Sequence, residues 1–450
     1  MRTWISVAVG LTIAPLATAH TAAYKMTTIY SFCASANCAD GRIPGALVRG
    51  ARGDLYGATT GGGAQSDGVI FRLTPVKGRW RQNVLYSFCP RAGCADGFPA
   101  SGKLVLDKNG NLYGVTLNGG KAGRGTVFKL SQNGSKWSLV VLHDFCSKPD
   151  CADGESASSP LTYPGAANGF LYDGVSPLYG SSVDNSGLGL IYALAPPQSG
   201  GRWKETIVAR FRRPQDGIAN DFELDASGSI FGATNEGGRR SKGSVFEIPA
   251  TAPAARPKTL YSFCSAQDCR DGAYPREGVT VGVAGELLGV TENGGLRDAH
   301  CATTDGCGVI YRLSPGAPRA ESVLYRFCAK ADCADGETPV GDVLVNAVDD
   351  IFGVTTYGGG NDIDADARGG GTVYRFDGGL EKLYSFCARA ACSDGAYPNA
   401  GLVTDSAGDL FGVTEVGGAN DSGTVFELVP QRAGRSNRTG ANPTKHPSPR

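Results

Sequence analysis

Cysteine is the residue with the clearest chemical pattern. The chain has 14 cysteines, and all of them stand in close pairs. Cys33/Cys38, Cys89/Cys94, Cys146/Cys151, Cys264/Cys269, Cys328/Cys333 and Cys387/Cys392 are five positions apart, and Cys301/Cys307 six. Thiols at such spacing either close short disulfide loops or supply half of a metal site. A zinc site needs four ligands, so two pairs would have to converge. The histidines are His20, His143, His300 and His446, and none recurs beside the pairs. Seven local disulfides are the better reading in a chain that starts with an export signal.

Carboxylates come next. An Asp-Gly recurs at Asp40, Asp96, Asp153, Asp216, Asp271, Asp335 and Asp394. A ring of such groups could take Ca²⁺ or sugar hydroxyls. The turn reading is stronger, because Asp bonds nearby backbone N–H groups and Gly takes positive φ. Identical copies suit a scaffold, whereas a functional site breaks symmetry. Asp362, Asp364 and Asp366 alternate as calcium ligands do, but no terminal bidentate Glu follows. They are weak metal candidates. No cofactor is expected, with Ca²⁺ the single exception to keep in view. The glycine-rich loops at 61–63 and 358–360 lack a following helix and the P-loop Lys-Ser/Thr. No G-x-S-x-G, H-E-x-x-H or Cys/His arrangement appears, so no catalytic residue is assigned.

The elements that must hold these residues are short β-runs. In the second copy they are GKLVLD from Gly102, NLYGVTL from Asn111, TVFKLS from Thr126 and WSLVVLHDF from Trp137. Gly, Asn or Asp turn signals bound each run, and no window keeps a helical period. The aromatic of the opening motif recurs at Phe32, Phe88, Phe145, Phe211, Phe263, Phe327 and Phe386. Four strands in seven copies predict an all-β fold, a seven-bladed β-propeller of four-stranded blades. Blades fall at 43–88, 98–145, 156–211, 218–263, 273–327, 338–386, and 397–429 with 27–32. The frame is offset, so the N-terminal strand completes the last blade and closes the ring, which protects the edges. Inserts stand out at 163–177, 296–307 and 361–370.

Residues 1–19 read as a signal peptide, with Arg2, an apolar run and Ala17-Thr18-Ala19 before His20. Residues 20–430 are then the propeller, and 431–450 a basic tail read as disordered. The formal net charge is zero, so nucleic acid and anionic lipid are not expected partners. No span is expected after signal removal. The location is exported: periplasmic, cell-surface or extracellular.

The combination L-Y-S-F-C-x4-C-A-D-G, then G-x-L-Y-G-V-T, then G-T-V-F-x-L resembles the GloVer repeat of choice-of-anchor tandem repeat proteins. The likeness covers residues 27–429, and the Cys301/Cys307 pair resembles a variant of that family. The resemblance implies an exported bacterial protein with a propeller-like repeat and no assigned reaction. The fourth opening motif departs from it by lacking cysteines, and the C-terminus carries no sorting helix.

These observations lead us to expect a non-enzymatic propeller that binds an extracellular glycan or protein, or serves a structural envelope role. The alternative is a glycoside hydrolase or polysaccharide lyase with carboxylates on the cysteine-loop face. That face carries the inserts of the fifth and sixth blades, so Arg297, Asp298, His300, Tyr357, Asn361 and Arg368 are the candidate binding residues.

Overall fold

The computed structural model describes residues 23–431, apart from 91–92, 158, 167–168, 199, 213–215, 252–255, 299–300, 302–304, 317–318 and 362–367. The expected signal peptide, the tail beyond 431, His300, Asp362, Asp364 and Asp366 lie outside the described residues.

The strands form seven separate antiparallel sheets. In the second, Phe98–Leu106, Leu112–Asn118, Thr126–Asn133 and Lys136–Asp144 pair in chain order from the inside outward. The third departs from four regular strands. Its sheet holds Leu178–Val183, Gly189–Ala195 and Lys204–Arg210, and the inner edge is reduced to single bridges such as Thr162 to Tyr179. Pro160 and Pro164 flank that bridge, and neither has an N–H to give to a ladder. The last sheet takes its outer strand from the beginning of the chain. Tyr24–Ser31 pairs antiparallel with Thr424–Pro430, from Tyr24 opposite Pro430 to Ser31 opposite Thr424.

The blades adhere through aromatic contacts. Each motif Phe ends an outer strand and meets the third-strand ring of the following blade. The pairs are Phe32–Phe71, Phe88–Phe128, Phe145–Tyr192, Phe211–Phe246, Phe263–Tyr311, Phe327–Tyr374 and Phe386–Phe426. Their centroids are 4.9–5.7 Å apart and their planes steeply inclined, the geometry that aromatic quadrupoles favour. The far end of the same third-strand ring lies against the Gly of the second-strand L-Y-G motif. A Cβ at Gly57, Gly114, Gly289 or Gly412 would clash with it, which explains the repeated glycine. Among the described residues, seven buried apolar clusters each join two neighbouring blades, and a small eighth gathers Cys264, Cys269 and Ala273. The cluster that joins Phe32, Phe411 and Val413 to Leu47 and Phe71 seals the last blade against the first.

The cysteine loops hold the ends of the outer strands. All seven expected disulfides are present, Cys33–Cys38, Cys89–Cys94, Cys146–Cys151, Cys264–Cys269, Cys301–Cys307, Cys328–Cys333 and Cys387–Cys392. Beside five of them a Tyr hydroxyl donates to the Asp ten residues on, at 2.6–3.0 Å: Tyr30 to Asp40, Tyr86 to Asp96, Tyr261 to Asp271, Tyr325 to Asp335 and Tyr384 to Asp394. The same carboxylate accepts backbone N–H groups of the loop, as Asp40 does from Ala34 and Ser35. The recurring Asp is therefore a turn and clamp residue. In the fourth copy, without cysteines, the Arg212 N–H and the Arg256 guanidinium bind Asp216 instead.

Phe32→Ala and Phe211→Ala should each cost about 3–5 kcal/mol, as deletion of a buried aromatic does. The seam between the last and first blades is then one of seven equals. Urea unfolding measures this, and a loss below about 1 kcal/mol for Phe32→Ala alone would show that the ring does not depend on its N-terminal strand.

Candidate functional site

The inner edges of the seven blades surround one central channel. The residue just before the buried Leu, Phe or Val of each inner edge is Ala46, Lys103, Pro160, Asp221, Gly278, Asp342 or Gly401. Small residues occur where neighbouring backbones crowd. A Cβ on Gly278 would press on the Asp221 backbone at 3.0 Å, and one on Gly401 on the Asp342 carbonyl at 2.8 Å. Lys103, Asp221 and Asp342 break that pattern. They line a cavity of about 450 Å³ to which all seven blades contribute, together with Glu277, Asn235 and Asn399. Lys103, Pro160, Asp221, Asp342 and Val403 also line a second cavity of about 190 Å³. That second cavity is walled by Glu223 and by Tyr163, Phe170 and Leu171 of the third-blade insert, on the face of the tight turns.

Four carboxylates thus share one channel with one lysine. The Phe222 N–H donates to Asp221 Oδ1 at 2.7 Å, and the Val281 N–H to Glu223 Oε2 at 3.0 Å. Blades five and six clasp each other, because Glu277 accepts from the Gly341 N–H and Asp342 from the Gly278 N–H. These side chains are half-buried in the channel wall. Desolvation is the main cause of their shifts, and the Asp342 charge adds to it. It raises Glu223 and Glu277 to about 7 and holds Asp221 well above the usual carboxylate range. Asp342 is raised by the same burial, opposed by the Lys103 ammonium. The amide oxygens of Asn235 and Asn399 are buried in the wall and accept no hydrogen bond among the described residues. At the rim Arg276 pairs with Glu292 at 3.3 Å.

This arrangement presents acceptors, partly protonated carboxyls and an ammonium to a guest. It suits hydroxyls and amines. The carboxylates do not gather closely enough to form a cation site. The tight metal-type clusters among the described residues are built on disulfide sulfurs, which are not free to ligate.

The described residues expected on the cysteine-loop face have separate surroundings. Tyr357 packs edge-on against Tyr397 at 5.0 Å, and the Arg368 guanidinium lies 5.8 Å from the Tyr357 ring. Asn361 is occupied with the scaffold, its Nδ2 donating to the Phe386 carbonyl at 2.9 Å. The Asp298 N–H points at Cys301 Sγ. Arg297 lines a separate open hollow with Gln267, Asp268 and Arg270. The channel group was missed by the sequence reading. Comparing the seven residues that precede the inner-strand Leu, Phe or Val would have exposed it.

The family model of the Gloeobacter/Verrucomicrobia repeat matches residues 7–221 and again 219–439. No curated protein matches the sequence. Among solved structures, Trypanosoma rangeli sialidase is similar at 9% identity and a TM-score of 0.40, over 92% of this chain and 60% of that one. This chain therefore spans about three fifths of the sialidase's length. A polysaccharide lyase is similar at 9% identity and a TM-score of 0.45, over 86% of this chain and 90% of its own. Likeness at this level carries no argument about chemistry.

The raised carboxyls have a sign that can be checked. Glu277 moves from 4.5 in the open chain to about 7 in the fold, so the folded state holds the extra proton between those values. Its contribution is present below pH 4.5 and is lost as pH rises through about 7. Glu277→Gln should be more stable than the parent at pH 8 by about 1–2 kcal/mol, with little difference at pH 4. Denaturant midpoints at the two pH values measure it. A variant weaker at pH 8 would mean that the ionised carboxylate has a strong partner.

Proposed function

The chain belongs to the Gloeobacter/Verrucomicrobia repeat family, and from that premise we propose that it is an exported, non-enzymatic propeller that binds an extracellular glycan in its central channel. The observation that carries this reading is the break in symmetry at Lys103, Asp221 and Asp342. The positions that build the scaffold repeat around the ring, whereas these differ and converge on one cavity. A volume near 450 Å³ falls in the range of small-ligand sites. It suits a short saccharide segment better than a folded protein. Acceptor-rich walls match hydroxyl groups, since a buried polar site favours guests that satisfy its hydrogen bonds. Export is supported by the N-terminal signal pattern and by seven disulfides, which persist in oxidising compartments. No helix among the described residues is long and apolar enough to cross a membrane. Arg297, Tyr357 and Arg368 are proposed contacts for a glycan that extends beyond the channel on the cysteine-loop face.

One observation favours the enzymatic alternative. Burial raises all four channel carboxyls, Glu223 and Glu277 to about 7. A carboxyl poised near neutral pH is what acid–base cleavage of a sugar chain uses.

A glycan array on the purified protein, with and without Ca²⁺, separates the readings. We expect binding that is indifferent to Ca²⁺ and at least tenfold weaker in Asp221→Asn/Asp342→Asn. Binding by no glycan would overturn the proposal. Turnover of a bound polysaccharide, abolished by that double change, would replace it with the enzyme.

A further inference from the structure

The third-blade insert is the largest local departure from the repeat, and it stands at one end of the channel. Phe170 is 68% exposed, Val175 73% and Leu171 36%. Single exposed apolar residues are ordinary, but Phe170 and Leu171 are adjacent and also border the channel cavity. The Tyr172 N–H donates to the Leu106 carbonyl at 3.1 Å and the Lys108 N–H to the Tyr172 carbonyl at 3.1 Å, which fastens the insert to the turn of the second blade. The Tyr163 hydroxyl donates to the Phe170 carbonyl at 2.7 Å, and Asp173 Oδ1 accepts from the Val175 and Ser176 N–H groups at 2.8 Å. The fold therefore holds an aromatic ring out toward water at a fixed place.

That place adjoins charge. Phe170 and Leu171 line the same 190 Å³ cavity as Lys103, Asp221, Glu223 and Asp342. Three carboxyls there face the Lys103 ammonium, while the Arg49 guanidinium of the same lining lies 3.8 Å from Asp405, so carboxyls outnumber basic groups in the cavity. An aromatic face beside carboxyls that a neighbouring cation would ionise is complementary to a guest with an apolar C–H face and a cation. The ring accepts C–H groups and ammonium alike.

We propose that the channel is loaded from the tight-turn face, that Phe170 is the platform at its mouth, and that the guest is a sugar chain carrying free amino groups. This rests on the glycan-binding reading and narrows it. The protonated amine pairs with and ionises carboxyls among Asp221, Glu223 and Asp342, while a pyranose ring lies on Phe170. Acidic sugars are repelled by the same wall. Neutral sugars gain the platform without the charge.

Calorimetric titration of the full protein with a glucosamine tetramer and with its fully N-acetylated counterpart tests this. The free-amine tetramer should bind at least tenfold more tightly. Phe170→Ala should weaken it about tenfold with an unchanged thermal melt, since Phe170 is exposed. Asp342→Asn should weaken the free-amine tetramer and leave the acetylated one nearly unaffected. Equal affinity for both tetramers overturns the amine assignment while glycan binding stands. Unchanged affinity in Phe170→Ala overturns the platform. Binding of neither tetramer, together with a blank array, removes the glycan reading itself.

Discussion

Everything in this molecule depends on an aromatic ring at the end of one blade meeting a ring in the next. The contact between Phe32 and Phe71, and its six counterparts, fixes both the spacing and the inclination of neighbouring sheets. The third-strand ring requires a glycine beneath it, so the L-Y-G motif follows from the same contact. The Tyr–Asp clamp and the disulfide then hold the turn that delivers each Phe. A short disulfide loop contributes about 2 kcal/mol or less in the chain-entropy model. Its larger role here is to hold the loop from which the next blade departs.

Repetition and function are divided between different parts of each repeat. The rings, the glycines, the clamps and most of the disulfides recur because every seam solves the same packing problem. The inner-strand residues face a space that no seam needs, so they are free to differ. Closure of the ring converts that freedom into chemistry. Asp221 and Asp342 are far apart in sequence and belong to different blades, yet the Asp342 charge raises the proton affinity of Asp221. Burial in the channel raises their proton affinity, and Lys103 opposes it.

Much of the scaffold could be read from the sequence, and little of the site. The period, the strand order, the offset frame and the disulfide pairs are local signals, and each depends on residues a few positions apart. The channel depends on a closed ring. Nothing beside Lys103 or Asp342 in the chain marks it as facing a cavity, and the L-V pattern that follows draws the eye to the core. The insert at 163–177 was visible as an irregularity. Its position at a channel mouth was not, because that follows from Tyr172 bonding to the turn after Leu106 in another blade. The inserts of the fifth and sixth blades carry aromatic and basic residues near the cysteines, which is the local mark of a binding loop. There the structure uses Asn361 for the scaffold, and it keeps Arg297 apart from the Tyr357 and Arg368 pair. The Asp-Gly ring was legible as scaffold because seven identical carboxylates do not make an asymmetric site.

The central claim is that aromatic seams close a ring whose channel holds carboxyls away from bulk water. Carboxyl-carbon NMR of the protein labelled in Glu side chains, titrated from pH 3 to pH 9, addresses it directly. The resonances lost in Glu223→Gln and Glu277→Gln identify the two groups. The account predicts midpoints near 7 for both. Midpoints in the ordinary range near 4.3 would place both groups in open water and contradict a closed channel.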